Sequence, residues 1–425
     1  MMDEGGTGTG RPRVFYGWYV VAVAFVANFM ATGTHFYVFN AFMEPLHLVR
    51  GFTRGDLNLA FTLGGMAGLA AQMAHGSAVM RLGPRKYMAL GALASAAVFT
   101  ALGRVTSIHW FSVLFILLYI TNGAFCGIVT STAVNHWFVR KKGRAMGASV
   151  VGISLAGAVL PYAALALYRS LGLPNAFLAI GLCLAALSPL AWLVVRDRPE
   201  GMGLLPDGAP PARDGLGQAP SGPAPRECFW PMARVARTGA FWRVGIAYAA
   251  SMAGVVGVMS QLAPRFTDQG LSPERAMALL SVASLAGAVA KYGWGALCDV
   301  LPPMRVVAAL FLLNTLGLVA GLAARGTVGA LVFAVVFGSA MGGVQGTIPI
   351  IVAHLYGRLS FTSVSRFVAL FLVFQNLGYL AMGQSFRIFG SYDAAFALFA
   401  LLNLASAALV VSLRKPTLES GVRSP

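Results

Sequence analysis

Residues 288–300 read AVAKYGWGALCDV, a run that sets one ammonium among small and apolar neighbours. An unpaired charge of this kind at mid-membrane depth costs roughly 3 kcal/mol even on a lenient insertion scale. Lys291 therefore needs a compensating partner. Asp299 follows eight residues later, about 12 Å along a helix at 1.5 Å per residue. With Asp299 at the membrane interface, Lys291 approaches the midplane, and helical spacing puts Ser284, Gly287, Ala288 and Gly295 on its face. A cation directed along small residues suits an anion that enters a wet cavity. The bland alternative is a side chain that snorkels to the interface or pairs with a nearby acid.

Other polar groups interrupt the apolar runs at Asn28, His35, Gln72, Tyr119, Asn122, Tyr248, Gln345, Gln375 and Asn376. Their amides and hydroxyls either complete an anion site or join helices, at about 0.6 kcal/mol for a membrane hydrogen bond. No Asp or Glu falls well inside a run: Glu44, Asp56, Asp268 and Glu274 lie at outer ends and Asp393 near a helix start. Proton coupling, if present, falls to His35, to Lys291 or to the acid form of the substrate. Neither H-E-x-x-H nor G-x-S-x-G occurs, and GGTGTGR near the amino terminus lacks the ending of a phosphate loop. No catalytic residue, metal site or cofactor is expected.

The elements that must position these groups follow from composition. The 425 residues are 57% hydrophobic and 11% charged, with mean hydropathy +0.73, more apolar surface than a water-soluble globule can hide. Twelve apolar stretches are long enough to cross a hydrocarbon core of about 30 Å: 16–41, 57–80, 87–106, 110–133, 145–168, 174–195, 241–262, 275–297, 305–324, 328–351, 365–387 and 392–413. The side that carries both ends holds 21 of the 31 Lys and Arg residues, against 8 on the other. Both termini are therefore expected in the cytoplasm, in a bacterial-type plasma membrane. The net charge of +17 then reflects topology, and no nucleic-acid partner is expected. Cys126, Cys183, Cys228 and Cys298 fall in spans or on the reducing side, so no disulfide is expected.

Residues 196–240 are rich in Pro, Gly, Arg and Asp and read as a cytoplasmic linker. It divides a six-helix unit at 16–195 from a second at 241–413, with tails at 1–15 and 414–425. The halves repeat: GSAVMRLGPRK from Gly76 returns as GALCDVLPPMR from Gly295, and HWFVR from His136 returns as HLYGR from His354. Offsets of 219 and 218 residues agree closely enough to indicate duplication. Gln72 is the symmetry counterpart of Lys291.

These motifs resemble the major facilitator superfamily of secondary transporters over nearly the whole chain. The resemblance implies an all-α membrane protein of twelve transmembrane helices in two pseudo-symmetric six-helix bundles. The loop with Gly76, Arg81, Gly83 and Arg85 is similar to the family signature after helix 2, except that Met80 occupies the acidic position. Gly295 and Asp299 keep the pattern after helix 8. The family implies that this carboxylate binds a neighbouring helix end and latches the halves. WFVRKKGRAMG from Trp137 and GSYDAAFALFALLNLAS from Gly390 resemble the branch of monocarboxylate porters and oxalate/formate exchangers. In that branch an Arg at the position of Lys291 contacts the substrate carboxylate, and helices 1, 4, 7 and 10 line the cavity. Asn28, Tyr119, Tyr248 and Gln345 then stand above the other candidates. Helix 11 offers Gln375 and Asn376 where the exchangers place a second cation, so a monoanion is expected as substrate. The expected function is monomeric secondary transport of a small organic anion with H+ or a counter-anion, within membrane lipid. Efflux of a hydrophobic compound and ligand sensing without transport are the alternatives.

Overall fold

A computed structural model describes residues 14–208, 229–413, 415 and 416. Cys228, much of the expected linker and nearly all of both expected tails lie outside the described residues. The chain is helical, and its helices are α1 Gly17–Arg50, α2 Arg54–Leu82, α3 Pro84–Leu102, α4 Ile108–Trp137, α5 Lys142–Leu171 and α6 Leu173–Val194. After the linker come α7 Gly239–Asp268, α8 Pro273–Val300, α9 Pro303–Ala323, α10 (326–356), α11 (358–389) and α12 Asp393–Val411. Lipid leaves no water to satisfy a broken backbone, so each apolar run closes its hydrogen bonds within itself as a helix.

Ten stretches qualify as membrane spans on length and hydropathy alone. Two features reconcile them with twelve helices. Gly357 alone separates α10 from α11, so the pair reads as one apolar stretch of 64 residues. Its φ of +76° is a conformation that only glycine adopts without strain. The short α3 opens with Pro84, Arg85 and Lys86, which dilute its apolar run.

The buried apolar side chains form two clusters. One lies wholly in the first half, from Val23 to Val195. The other fills the second half from Trp230 to Leu413 and also takes in Val20, Val21, Ala24, Ala133, Val134, Trp137, Phe138, Ala145 and Met146. Those first-half members belong to the ends of α1, α4 and α5 next to the linker. The two cores thus merge on one face, called here the linker face. There α5 and α8 touch backbone to backbone: a Cβ on Gly143 would overlap the Gly295 carbonyl, and one on Gly295 would overlap that of Gly143. Small residues permit this approach, which dispersion then stabilises.

Candidate functional site

Lys291 lies on α8 where it faces α5, and is 1% exposed. Its ammonium Nζ donates to the Ser154 hydroxyl oxygen at 2.6 Å. Ser154 belongs to the first half and Lys291 to the second, so this bond crosses the pseudo-symmetric boundary. Helix spacing brings them together: Gly147 and Ser154 are two turns apart on one face of α5. A Cβ on Gly147 would come within 2.7 Å of the Lys291 carbonyl oxygen. Gly346 of α10, in the same half, lies beside the lysine: an added Cβ there would sit 3.7 Å from the Lys291 carbonyl oxygen and 3.7 Å from Val150 of α5. Among the described residues no carboxylate forms an ion pair with Lys291. A neutral hydroxyl supplies one acceptor but no countercharge, which leaves a buried ammonium uncompensated.

Asp299, the nearest acid along α8, is committed elsewhere. Its carboxylate accepts hydrogen bonds from Gly143 N at 2.5 Å and Arg144 N at 2.9 Å, and the Arg144 guanidinium stands 3.8 Å away. Those amides open α5, where unpaired N–H groups and the helix dipole favour an anion. At the symmetry-related contact between α2 and α11, Met80 is 47% exposed and Arg366 packs over Gly76. Arg366 donates from Nη1 to the Ser77 hydroxyl at 2.5 Å. Gly83, with φ +78°, lies against Asp197, whose carboxylate accepts from Arg85 N at 2.9 Å. Arg81 is exposed.

Further bonds close the linker face. Asn135 donates to the Arg358 carbonyl at 3.1 Å, and Arg358 donates to the His136 carbonyl at 3.1 Å and to Glu200 at 2.9 Å. Thr132 and Thr362 share a hydrogen bond at 2.9 Å. Asp207, at a left-handed φ of 59°, accepts from the amides of Val139, Arg140 and Lys141 at 2.6–3.1 Å. The start of the linker is thus seated across the loop that joins α4 to α5.

The remaining candidates separate into spent and unspent groups. Asn28 donates to the Ser149 carbonyl at 2.9 Å and accepts from Gly127 N and the Thr130 hydroxyl. Asn122 binds Ser95, Ala31, Thr34 and His35. Tyr248 pairs with Thr347 at 2.8 Å inside the second half. These three tie helices within one half. His35 lies in a π-helical turn of α1, Gly33–Val38, with its ring centroid 4.4 Å from that of Tyr119. Turns of this kind recur at functional sites. Gln72, Gln345 and Gln375 are half-buried and Asn376 is exposed. Among the described residues none of these four amides has a hydrogen-bond partner, so their donors and acceptors are unspent. Ser154 and Asn135 are not among the residues the sequence singles out, and Arg358 and Ser77 appear there only inside the repeated motifs. For Ser154 a signal existed in its seven-residue spacing from Gly147.

Comparison with known proteins agrees with this architecture. No curated protein matches the chain. The solved fold of FucP, a Major Facilitator Superfamily transporter in the outward conformation, superposes with a TM-score of 0.70 at 14% identity, covering 92% of this chain and 97% of that one. The proton:xylose symporter XylE gives 0.69 at 11% identity, covering 92% and 94%. The human organic anion transporter MFSD10 gives 0.65 at 15%, covering 94% and 100%. The model of the Major Facilitator Superfamily matches residues 14–383, and the chain belongs to that family of transporters.

Proposed function

We propose that this carrier moves a small organic anion, a monocarboxylate in first place, by alternating access in a bacterial plasma membrane with both termini in the cytoplasm. The observation that supports the reading is Lys291: a buried cation at the boundary between the halves whose described partner is a serine. Similar folds belong to a fucose:proton symporter, a proton:xylose symporter and an organic anion transporter, so the site rather than the fold must choose the substrate. A carboxylate that reaches Nζ replaces the Ser154 hydroxyl and supplies the missing countercharge. One ammonium neutralises one carboxylate, which favours a monoanion over a dianion. Gln72, Gln345, Gln375 and Asn376 remain free to bind a hydroxyl or keto oxygen, and His35 or the lysine itself carries any coupled proton. The units 16–195 and 241–413 then rock about the site as a monomer, in exchange with another anion or in symport with H+. Closure of the linker face corresponds to the state that admits substrate from outside.

The test is uptake of labelled lactate, pyruvate, formate and oxalate into proteoliposomes, with and without an imposed pH gradient. Removing one partner of a buried charge pair costs about 3–5 kcal/mol. Lys291→Gln should therefore lower monocarboxylate kcat/KM at least about a hundredfold, and Lys291→Arg should keep part of it. Unchanged transport by the glutamine variant would sink the site assignment. Transport of oxalate alone would sink the single-charge argument.

A further inference from the structure

A polar cavity of about 520 Å³ opens on the linker face and is lined by Arg85, Arg196, Asp197, Arg198, Glu200 and Met202 among others. Its volume is that of a small-molecule site. Both acids in its wall are already engaged: Asp197 accepts from Arg85 N, and Glu200 pairs with Arg358 outside the cavity lining. The arginines are far less committed. Arg85 Nε donates to the Trp192 carbonyl at 2.7 Å, and Arg196 Nη1 donates to the Trp192 and Val195 carbonyls at 3.3 and 3.5 Å. Arg198 is exposed and, among the described residues, has no hydrogen bond. Each guanidinium carries five N–H donors in a planar fork, so most remain available to an oxyanion.

The surroundings identify the source of that oxyanion. Arg85 lies over the Trp192 ring at 4.8 Å, and Trp192 is an exposed aromatic at the end of a spanning helix, where amphipathic rings anchor to headgroups. Met80, Leu82, Trp192 and Leu193 expose large apolar side chains next to the arginine cluster. A guanidinium cavity bordered by lipid-facing apolar residues fits an amphiphile with a phosphate head. We infer that Arg85, Arg196 and Arg198 bind the phosphate of an anionic glycerophospholipid whose acyl chains lie along Trp192 and Leu193. Free phosphate shares the head chemistry and lacks the apolar part.

The experiment is native mass spectrometry of the full chain in detergent, titrated with phosphatidylglycerol, phosphatidylcholine or inorganic phosphate. Phosphatidylglycerol should bind more tightly than the zwitterionic lipid. A basic residue near the surface contributes enough that each lost guanidinium should weaken binding about fivefold. Arg198→Gln should show that step, and Arg85→Gln combined with Arg196→Gln and Arg198→Gln should lower binding on the order of a hundredfold. Arg305→Gln removes an exposed charge from the other half of the same face and should leave binding within about twofold. Equal binding of the two lipids, or full binding by Arg198→Gln and the triple variant, would overturn the site. Inorganic phosphate binding as tightly as phosphatidylglycerol would overturn the lipid assignment. None of these readings depends on which anion is transported.

Discussion

Two contacts join the halves in symmetry-related places, and the sequence has let them diverge. At α5–α8 an acid, Asp299, receives the opening amides of α5, two glycines bring the backbones into contact, and a lysine reaches across to a serine. At α2–α11 the corresponding acid is Met80, the counterpart of Lys291 is Gln72, and an arginine side chain lies over Gly76 to reach Ser77. Duplication supplied the same backbone relation twice. Only one copy kept an acid at the boundary, and at α2–α11 the Arg366 side chain packs over Gly76 where α5–α8 brings two glycine backbones together. Backbone contact is rigid, whereas a side-chain bridge yields. On this contrast α5–α8 is expected to act as the precise closure and α2–α11 as the adaptable one.

The strongest way to break that contrast is to add bulk at the rigid contact. Gly295→Val places methyl groups against the Gly143 carbonyl, and backbone has no rotamer with which to escape. Overpacking of this kind costs about 1–3 kcal/mol. Transport should fall about tenfold to a hundredfold, whereas Gly383→Val in α11, where an added Cβ meets nothing within 4 Å, should leave transport within about twofold. Equal damage from both would show that the α5–α8 approach has no special part in closure.

The second test bears on the acid. Asp299→Asn removes the charge but keeps one acceptor oxygen, so the loss is part of the roughly 1.5–3 kcal/mol of charged hydrogen bonding. Spin labels at exposed Arg140 and Arg305, one in each half of the linker face, report the separation of the halves. The open population should rise about tenfold in Asp299→Asn. Met80→Asp restores the acid to the other copy and should shift the population toward closure by no more than about threefold. A larger effect at Met80 than at Asp299 would reverse the assignment of the rigid latch.

Membrane physics explains how much of this was legible beforehand. Twelve helices could be read because lipid forces each span into one long apolar run, and the family signature marked Asp299 through its spacing from Gly295. Lys291 stood out because a charge in such a run is costly. Its partner did not, since a serine inside an apolar helix is inexpensive and common. Of the four polar residues ranked first as ligands, Asn28 and Tyr248 are bonded within their own halves, as is the lower-ranked Asn122. Buried amides and hydroxyls in lipid must pair, and sequence does not say with what. Composition marks 196–240 only as a linker, yet Glu200 and Asp207 near its start engage Arg358 and the loop after α4. Two carboxylates meeting specific partners carry little weight in a compositional average.

That seated piece of linker provides the smallest and last test. Burial works against the charge of Glu200, but its own backbone N–H and the Arg358 guanidinium outweigh this and hold the carboxyl below its usual value. A depressed value means that the ion pair adds closure at neutral pH and loses it as pH falls through the lowered value. The side chain is 42% exposed, so solvent screens the pair and its worth is about 0.2–1 kcal/mol. Glu200→Gln should then raise the open population at pH 7 by no more than about fivefold. The difference between variant and parent should shrink on acidification and at high salt, because the parent loses the same interaction. A gap that persists at acid pH would mean that Glu200 holds Arg358 by shape and neutral hydrogen bonding. The linker would then belong with the rigid α5–α8 contact and not with the adaptable one.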